Sequence, residues 1–138
     1  MLKGEYMKKE KSCGIIVIND NKVLMVNQKN GVYSFPKGHV EENESEIDTA
    51  LREVKEETNI DAKITSDKRY VVNYITDKGI NKTVVFFLGK AISFDIAKQE
   101  SEIEEANWVD IEHVYDTISY DNMKELWKNV LEEIKWKS

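Results

Sequence analysis

The chain has 138 residues, 41% of them hydrophobic, and 20 Lys plus Arg against 26 Asp plus Glu leave a net charge of −6. That length suits one ordinary globular domain with a self-supporting core, and the acidic balance argues against binding nucleic acid through bulk charge. The lone Cys13 excludes an intramolecular disulfide, no apolar run nears the roughly 20 residues of a membrane-spanning helix, and Lys- and Glu-rich residues 1–12 lack a secretory pattern, so a cytoplasmic protein is expected.

Residues 15–18 and 23–26 are aliphatic and β-branched runs flanking Asn19-Asp20-Asn21, which predicts a hairpin. Residues 31–39 carry the sole proline, Pro36, which opposes helix, and read as a loop. From 44 to 58, Ile47, Ala50, Leu51 and Val54 fall at i, i+3, i+4 and i+7, the buried stripe of a helix. Asn43 with Glu46 has the form of a capping box, Ser45 is the alternative cap, and Asn59 tolerates the left-handed conformation that ends helices. Residues 69–75 and 83–88 read as an antiparallel pair turning at Asp77-Lys78-Gly79, and 107–109 as a short strand. Met123, Leu126, Trp127, Val130, Leu131 and Ile134 mark a long amphipathic helix in which Trp127 packs inward and Trp136 anchors the end. Strands and helices mix without regular βαβ alternation, so a mixed sheet covered by helices is expected, with no linker or repeat and with termini that fray.

On the first helix, Glu53, Glu56 and Glu57 occupy i, i+3 and i+4 beside the apolar stripe. Repulsion at a solvated surface would cost only about 0.2–0.5 kcal/mol per pair, so an ordinary acidic face would account for them in isolation. Carboxylate oxygens are also the ligands that hard divalent cations prefer. The neighbours decide between these readings: Gly38, then Glu44, then Arg52-Glu53-Val54-Lys55-Glu56-Glu57, ending on Ile60. This set resembles the Nudix box, a glycine, five residues, Glu, seven residues, then Arg-Glu-apolar-any-Glu-Glu-any-Gly-apolar. Asn59 stands where the second glycine belongs.

The resemblance implies a Nudix-type α/β/α sandwich with a mixed central sheet, spanning 1–138 as a single domain, and hydrolysis of a phosphoanhydride in a nucleoside diphosphate-linked substrate. Mg2+, with Mn2+ as substitute, is implied at Glu53, Glu56 and Glu57 with the main-chain carbonyl of Gly38. Such cations reduce the repulsion between an electron-rich phosphate and an attacking water. Glu53 is also a candidate to position or deprotonate that water. Arg52 resembles the box arginine that orients a catalytic carboxylate through paired hydrogen bonds, and Glu44 either pairs with a cation or complements the helix N-terminus.

The stretch Phe35-Pro36-Lys37-Gly38-His39-Val40-Glu41 resembles asymmetrical diadenosine tetraphosphate hydrolases and diphosphoinositol polyphosphate hydrolases. It offers Lys37 and His39 to phosphate oxygens. Tyr74, Lys82, Glu102, Trp108 and Tyr120 follow an order similar to the dinucleoside polyphosphate branch. On that reading Tyr74 and Tyr120 sandwich a purine, Lys82 meets a distal phosphate and Glu102 joins the metal site, although Glu100, Glu104 and Glu105 compete for that role. Tyr33 and Phe35 either wall the pocket or anchor a loop. The expected partner is a small nucleotide, preferably diadenosine tetraphosphate cleaved to ATP and AMP. Other Nudix specificities (nucleoside triphosphates, ADP-ribose, capped RNA, diphosphoinositol phosphates) and a non-catalytic nucleotide-binding module are the alternatives; oligomeric state is not readable.

Overall fold

The computed structural model describes residues 8–137, with side chains up to residue 134, so the expectations for residues 1–7 and for the Trp136 side chain lie outside it. The elements in order are β1 (Lys9–Asn19), β2 (Lys22–Gln28), β3 (Tyr33–Ser34), β4 (Lys37–His39), α1 (Glu46–Thr58), β5 (Ala62–Ile64), β6 (Tyr70–Ile75), β7 (Asn81–Ala91), β8 (Ile103–Asp110), α2 (Val114–Thr117) and α3 (Asp121–Lys137). Among the described residues no helix is long and apolar enough to cross a membrane.

The mixed sheet is built around a parallel pair, β1 with β7, in register from Lys9 opposite Asn81 to Val17 opposite Gly89. Both strands are covered on two faces, which is why their central runs are continuously apolar instead of alternating. Cys13, Ile15, Val17, Val85 and Phe87 pack with Ala50 and Val54 of α1 on one side. Ile16, Val84, Phe86 and Leu88 pack with Met123, Leu126, Trp127 and Val130 of α3 on the other. The outcome is the expected α/β/α sandwich. Phe35 settles as a core anchor, fully buried with its ring 5.4 Å edge-on to Phe86 and 5.9 Å from Trp127.

The hairpin forms, turning on Asp20 and Asn21 at φ 48° and 64°, the two left-handed central residues of a type I′ turn. Its strands stay paired only at Ile18–Val23 and Asn19–Lys22, after which β2 pairs with β3 and β8. β6 and β7 form the expected antiparallel pair, with Gly79 at φ 78° in their turn. The stretch expected to be a loop, 31–39, instead contributes two short strands. Once β1 and β2 diverge, β1 has a free edge on which β4 pairs, Gly38 opposite Cys13. β5 was too short to register as a strand in the sequence, as was α2 as a helix, and β8 extends well beyond the expected 107–109.

The first helix starts two residues later than expected. Asn43 takes φ 64°, a left-handed geometry unsuited to a cap, whereas extended Ser45 accepts from the Asp48 N–H at 3.0 Å. Glu46 pairs with Arg69 and Lys11 in place of a capping box. Ion pairs therefore hold the first turn, and Ile47, expected in the buried stripe, is 41% exposed. At the other end Asn59 adopts φ 68°, its N–H donates to the Lys55 carbonyl at 2.9 Å, and its side-chain amide donates to the Asp95 carbonyl at 3.1 Å. Asparagine replaces the box glycine here because it accepts this geometry and adds a bond. Asn59→Ala is expected to lower the unfolding free energy by about 1 kcal/mol in a urea titration, since alanine pays the left-handed penalty without the amide contact.

Candidate active site

β4 lies antiparallel on β1, and α1 packs across the same part of β1, so the two meet edge to face. Gly38 has no side chain where they meet; a Cβ there would overlap the Glu53 carboxylate. The Glu53 head group thus rests on the Gly38 backbone, and glycine is required by close approach. One residue earlier, the Lys37 N–H donates to Glu57 Oε1 at 3.1 Å. An open cavity of about 510 Å³ gathers Lys37, Gly38, His39, Glu53, Glu57, Lys82 and Glu102 on its walls.

The carboxylates are poorly solvated. Glu57 is 4% exposed, and burial, followed by the nearby charge of Glu53, pushes its pKa up to about 8. Burial likewise raises Glu53, against the hydrogen bond from Arg52. Glu102 adds further negative charge near both, whereas Glu104 and Glu105 line a different surface and Glu100 pairs with Lys98. Burial and the nearby Lys82 push the Lys37 ammonium down to about 8. Buried Glu57 and partly buried Glu53, facing the charge of exposed Glu102 around an open cavity, are the environment a hard divalent cation relieves, so these three and the Gly38 carbonyl fit one by chemistry.

Arg52 stands behind this wall. Its fork grips Glu44, with Nε to Oε2 at 2.7 Å and Nη2 to Oε1 at 2.9 Å, and Nη2 also donates to the His39 carbonyl at 3.0 Å. A single bond, Nη1 to Glu53 Oε1 at 2.8 Å, reaches the cavity carboxylate, and Nη1 also donates to Glu56 at 3.1 Å. The paired hydrogen bonds expected for a catalytic carboxylate therefore go to Glu44. That contact, reinforced by the Thr49 hydroxyl, holds the Glu44 carboxyl at about 2. Glu56 is turned toward Arg52, half exposed and off the cavity wall.

A second cavity, of about 180 Å³, shares Lys37 and Lys82 with the first and is lined by Tyr74, Tyr120, Val32 and Ser34. The two cavities form one track of carboxylates, then lysines, then tyrosines. His39 is exposed at the rim, 3.2 Å from Glu10. Trp108 packs against the α1-side core, and Trp127 is buried on the inward face of α3. Sequence reading missed Gln28, Lys29 and Asn30, which line the larger of these two cavities from the end of β2 and the turn after it; Gly31, next in the chain at φ 84°, was the available turn signal. Apart from this track, Asp110, Glu112 and His113 present donor atoms within 4.8 Å of one another, but all three are exposed and none lines either cavity.

Among known proteins, the NUDIX domain family pattern matches residues 8–130. Asymmetrical bis(5′-nucleosyl)-tetraphosphatase of Sus scrofa is 31% identical over 130 residues, covering 83% of this chain and 88% of that protein. Nudix hydrolase 2 of Arabidopsis thaliana is 39% identical over 105 residues, which is 70% of this chain and 37% of that longer protein. The crystal structure of a C. elegans Ap4A hydrolase binary complex superposes with a TM-score of 0.80 at 25% identity, covering 91% of this chain and 98% of that one.

Two outcomes follow from the buried carboxylates. A carboxyl near 8 in the folded chain and near 4.3 when unfolded makes the native state bind the extra proton between those values, so stability falls as pH rises across them. In chelator, the urea midpoint is expected to drop from pH 5 to pH 8, and Glu57→Gln to flatten that drop. Lys37 acts oppositely and higher, adding stability as pH rises from about 8 toward its unfolded value. Gly38→Ala is expected to displace Glu53 and lower turnover by about a hundredfold, measured as kcat against the parent.

Proposed function

The chain belongs to the Nudix family and is a Nudix pyrophosphohydrolase, and from that premise we propose that it hydrolyses dinucleoside polyphosphates, diadenosine tetraphosphate above all, to ATP and AMP. The observation that carries this is the continuous track from Glu53, Glu57 and Glu102 across Lys37 and Lys82 to Tyr74 and Tyr120, whose order matches a divalent cation, a polyphosphate chain and a base. The likeness to asymmetrical bis(5′-nucleosyl)-tetraphosphatases over most of the chain supports it. The single Nudix domain acts in the cytoplasm, where a lone, buried Cys13 stays reduced.

Mg2+, or Mn2+ in its place, would be held by Glu53, Glu57, Glu102 and the Gly38 carbonyl, with Glu56, which pairs with Arg52, as a further ligand; it would supply charge neutralisation and polarisation of the phosphoryl oxygens. Glu53, steadied by Arg52 and braced through Glu44, orients water and accepts its proton. Lys37 and Lys82 offset the charge of the polyphosphate chain, and His39 donates a hydrogen bond at the rim. Tyr74 and Tyr120 stack on a base, a contact worth about 1–3 kcal/mol.

Steady-state turnover across dinucleoside polyphosphates, nucleoside triphosphates, ADP-ribose, capped RNA and diphosphoinositol phosphates, in ¹⁸O-labelled water, tests the reading. The highest kcat/KM is expected for diadenosine tetraphosphate, with one labelled product phosphate. A higher value for another class reassigns the specificity, and tight binding without turnover would make the chain a regulatory nucleotide-binding module. Glu57→Gln is expected to cut kcat about a hundredfold or more while leaving the chelator-treated protein at least as stable at pH 8, because a neutral amide replaces a buried charge.

A further inference from the structure

We infer that Ser119 is a positioning residue that holds Tyr120 over the smaller cavity through a two-bond latch to Tyr33; this rests on reading that cavity as the base site.

The latch joins positions 86 residues apart. The Tyr33 N–H donates to Ser119 Oγ at 2.8 Å, and the Ser119 N–H donates back to the Tyr33 carbonyl at 3.1 Å. On one side, Tyr33 belongs to β3, fixed to β2 opposite Asn27, and its neighbours Val32 and Ser34 line the cavity. On the other side, Ile118 is 2% exposed in the core, and the Tyr120 carbonyl accepts from the N–H groups of Met123 and Lys124 at the start of α3. Tyr120 therefore sits between a latch and a helix start.

Its ring needs that support. Tyr120 is 54% exposed, so packing holds it weakly and main-chain placement sets where the phenol stands relative to Tyr74 across the cavity. The bond to Ser119 Oγ is at the surface, where water can satisfy the Tyr33 N–H once Oγ is gone. Removing the hydroxyl should loosen the aromatic while leaving the fold intact. A latch acting on the ring alone would show in KM for a base-bearing substrate and leave both the chemical step and phosphate binding unmoved.

The test compares the parent, Ser119→Ala, Ser119→Thr and Tyr120→Ala on diadenosine tetraphosphate, with inorganic tetraphosphate as a base-free competitive inhibitor. Ser119→Ala is expected to raise KM roughly fivefold, the value of one ordinary hydrogen bond. Its kcat, inhibition constant for tetraphosphate and thermal midpoint are expected to stay at parental values, and Ser119→Thr, which keeps the hydroxyl, to restore KM. If Tyr120→Ala raises KM but Ser119→Ala does not, or if Ser119→Thr fails to restore it, the latch is overturned and the base site stands. An equal rise in the tetraphosphate inhibition constant also overturns it, by showing a general disturbance. If Tyr120→Ala itself leaves KM unchanged, the base-site reading falls first.

Discussion

Two carboxylates one helical turn apart, Glu53 and Glu57, are pressed against the backbone of Lys37 and Gly38 where water reaches them poorly. That contact exists because β4 and α1 share the same part of β1, and it sets the chemistry of the cavity. A carboxylate on an open helix face would titrate normally and hold no ion tightly. Pushed up to about 8, Glu57 gains from a proton, and on the proposed reading a divalent cation would take that proton's place.

Arg52 supplies the countercharge from behind, outside the cavity lining. Gripping Glu44 with two prongs and Glu53 with one, and touching the His39 carbonyl, it ties the loop before α1 to the helix and to the end of β4. The arginine therefore fixes geometry more than it neutralises the cavity, whose charge stays available to a metal. The division suits a planar fork that matches carboxylates in pairs.

The box could be read because its spacing is helical: Glu53 and Glu57 at i and i+4 must share a face, and Gly38 could be singled out before any contact was known. Asn59 was legible for the same local reason, a single φ near 68°. What escaped the sequence depended on pairing between distant segments. β4 is three residues long and gains strand character only from the free edge of β1, and β5 likewise from β7. The start of α1 was misplaced because Asn43 and Ser45 are both good caps by composition, and the left-handed turn at Asn43 comes from how the loop closes. Glu102 could not be separated from its acidic neighbours until strand pairing gave β8 its register. Lys29 joined the cavity through its main-chain bond to the Glu102 carbonyl, 3.1 Å across the gap.

The parallel pairing of Lys9 with Asn81 spans 72 positions and lies at the centre of the sheet. Closing so long a segment is entropically slow, and antiparallel hairpins cannot substitute for it. The box helix at 46–58 precedes β7 at 81–91 in the chain, so β1 gains its central partner, and the cavity its remaining walls, only after the acidic stripe has been made. The cavity wall is thus complete only with Lys82 and Glu102, residues well past the box.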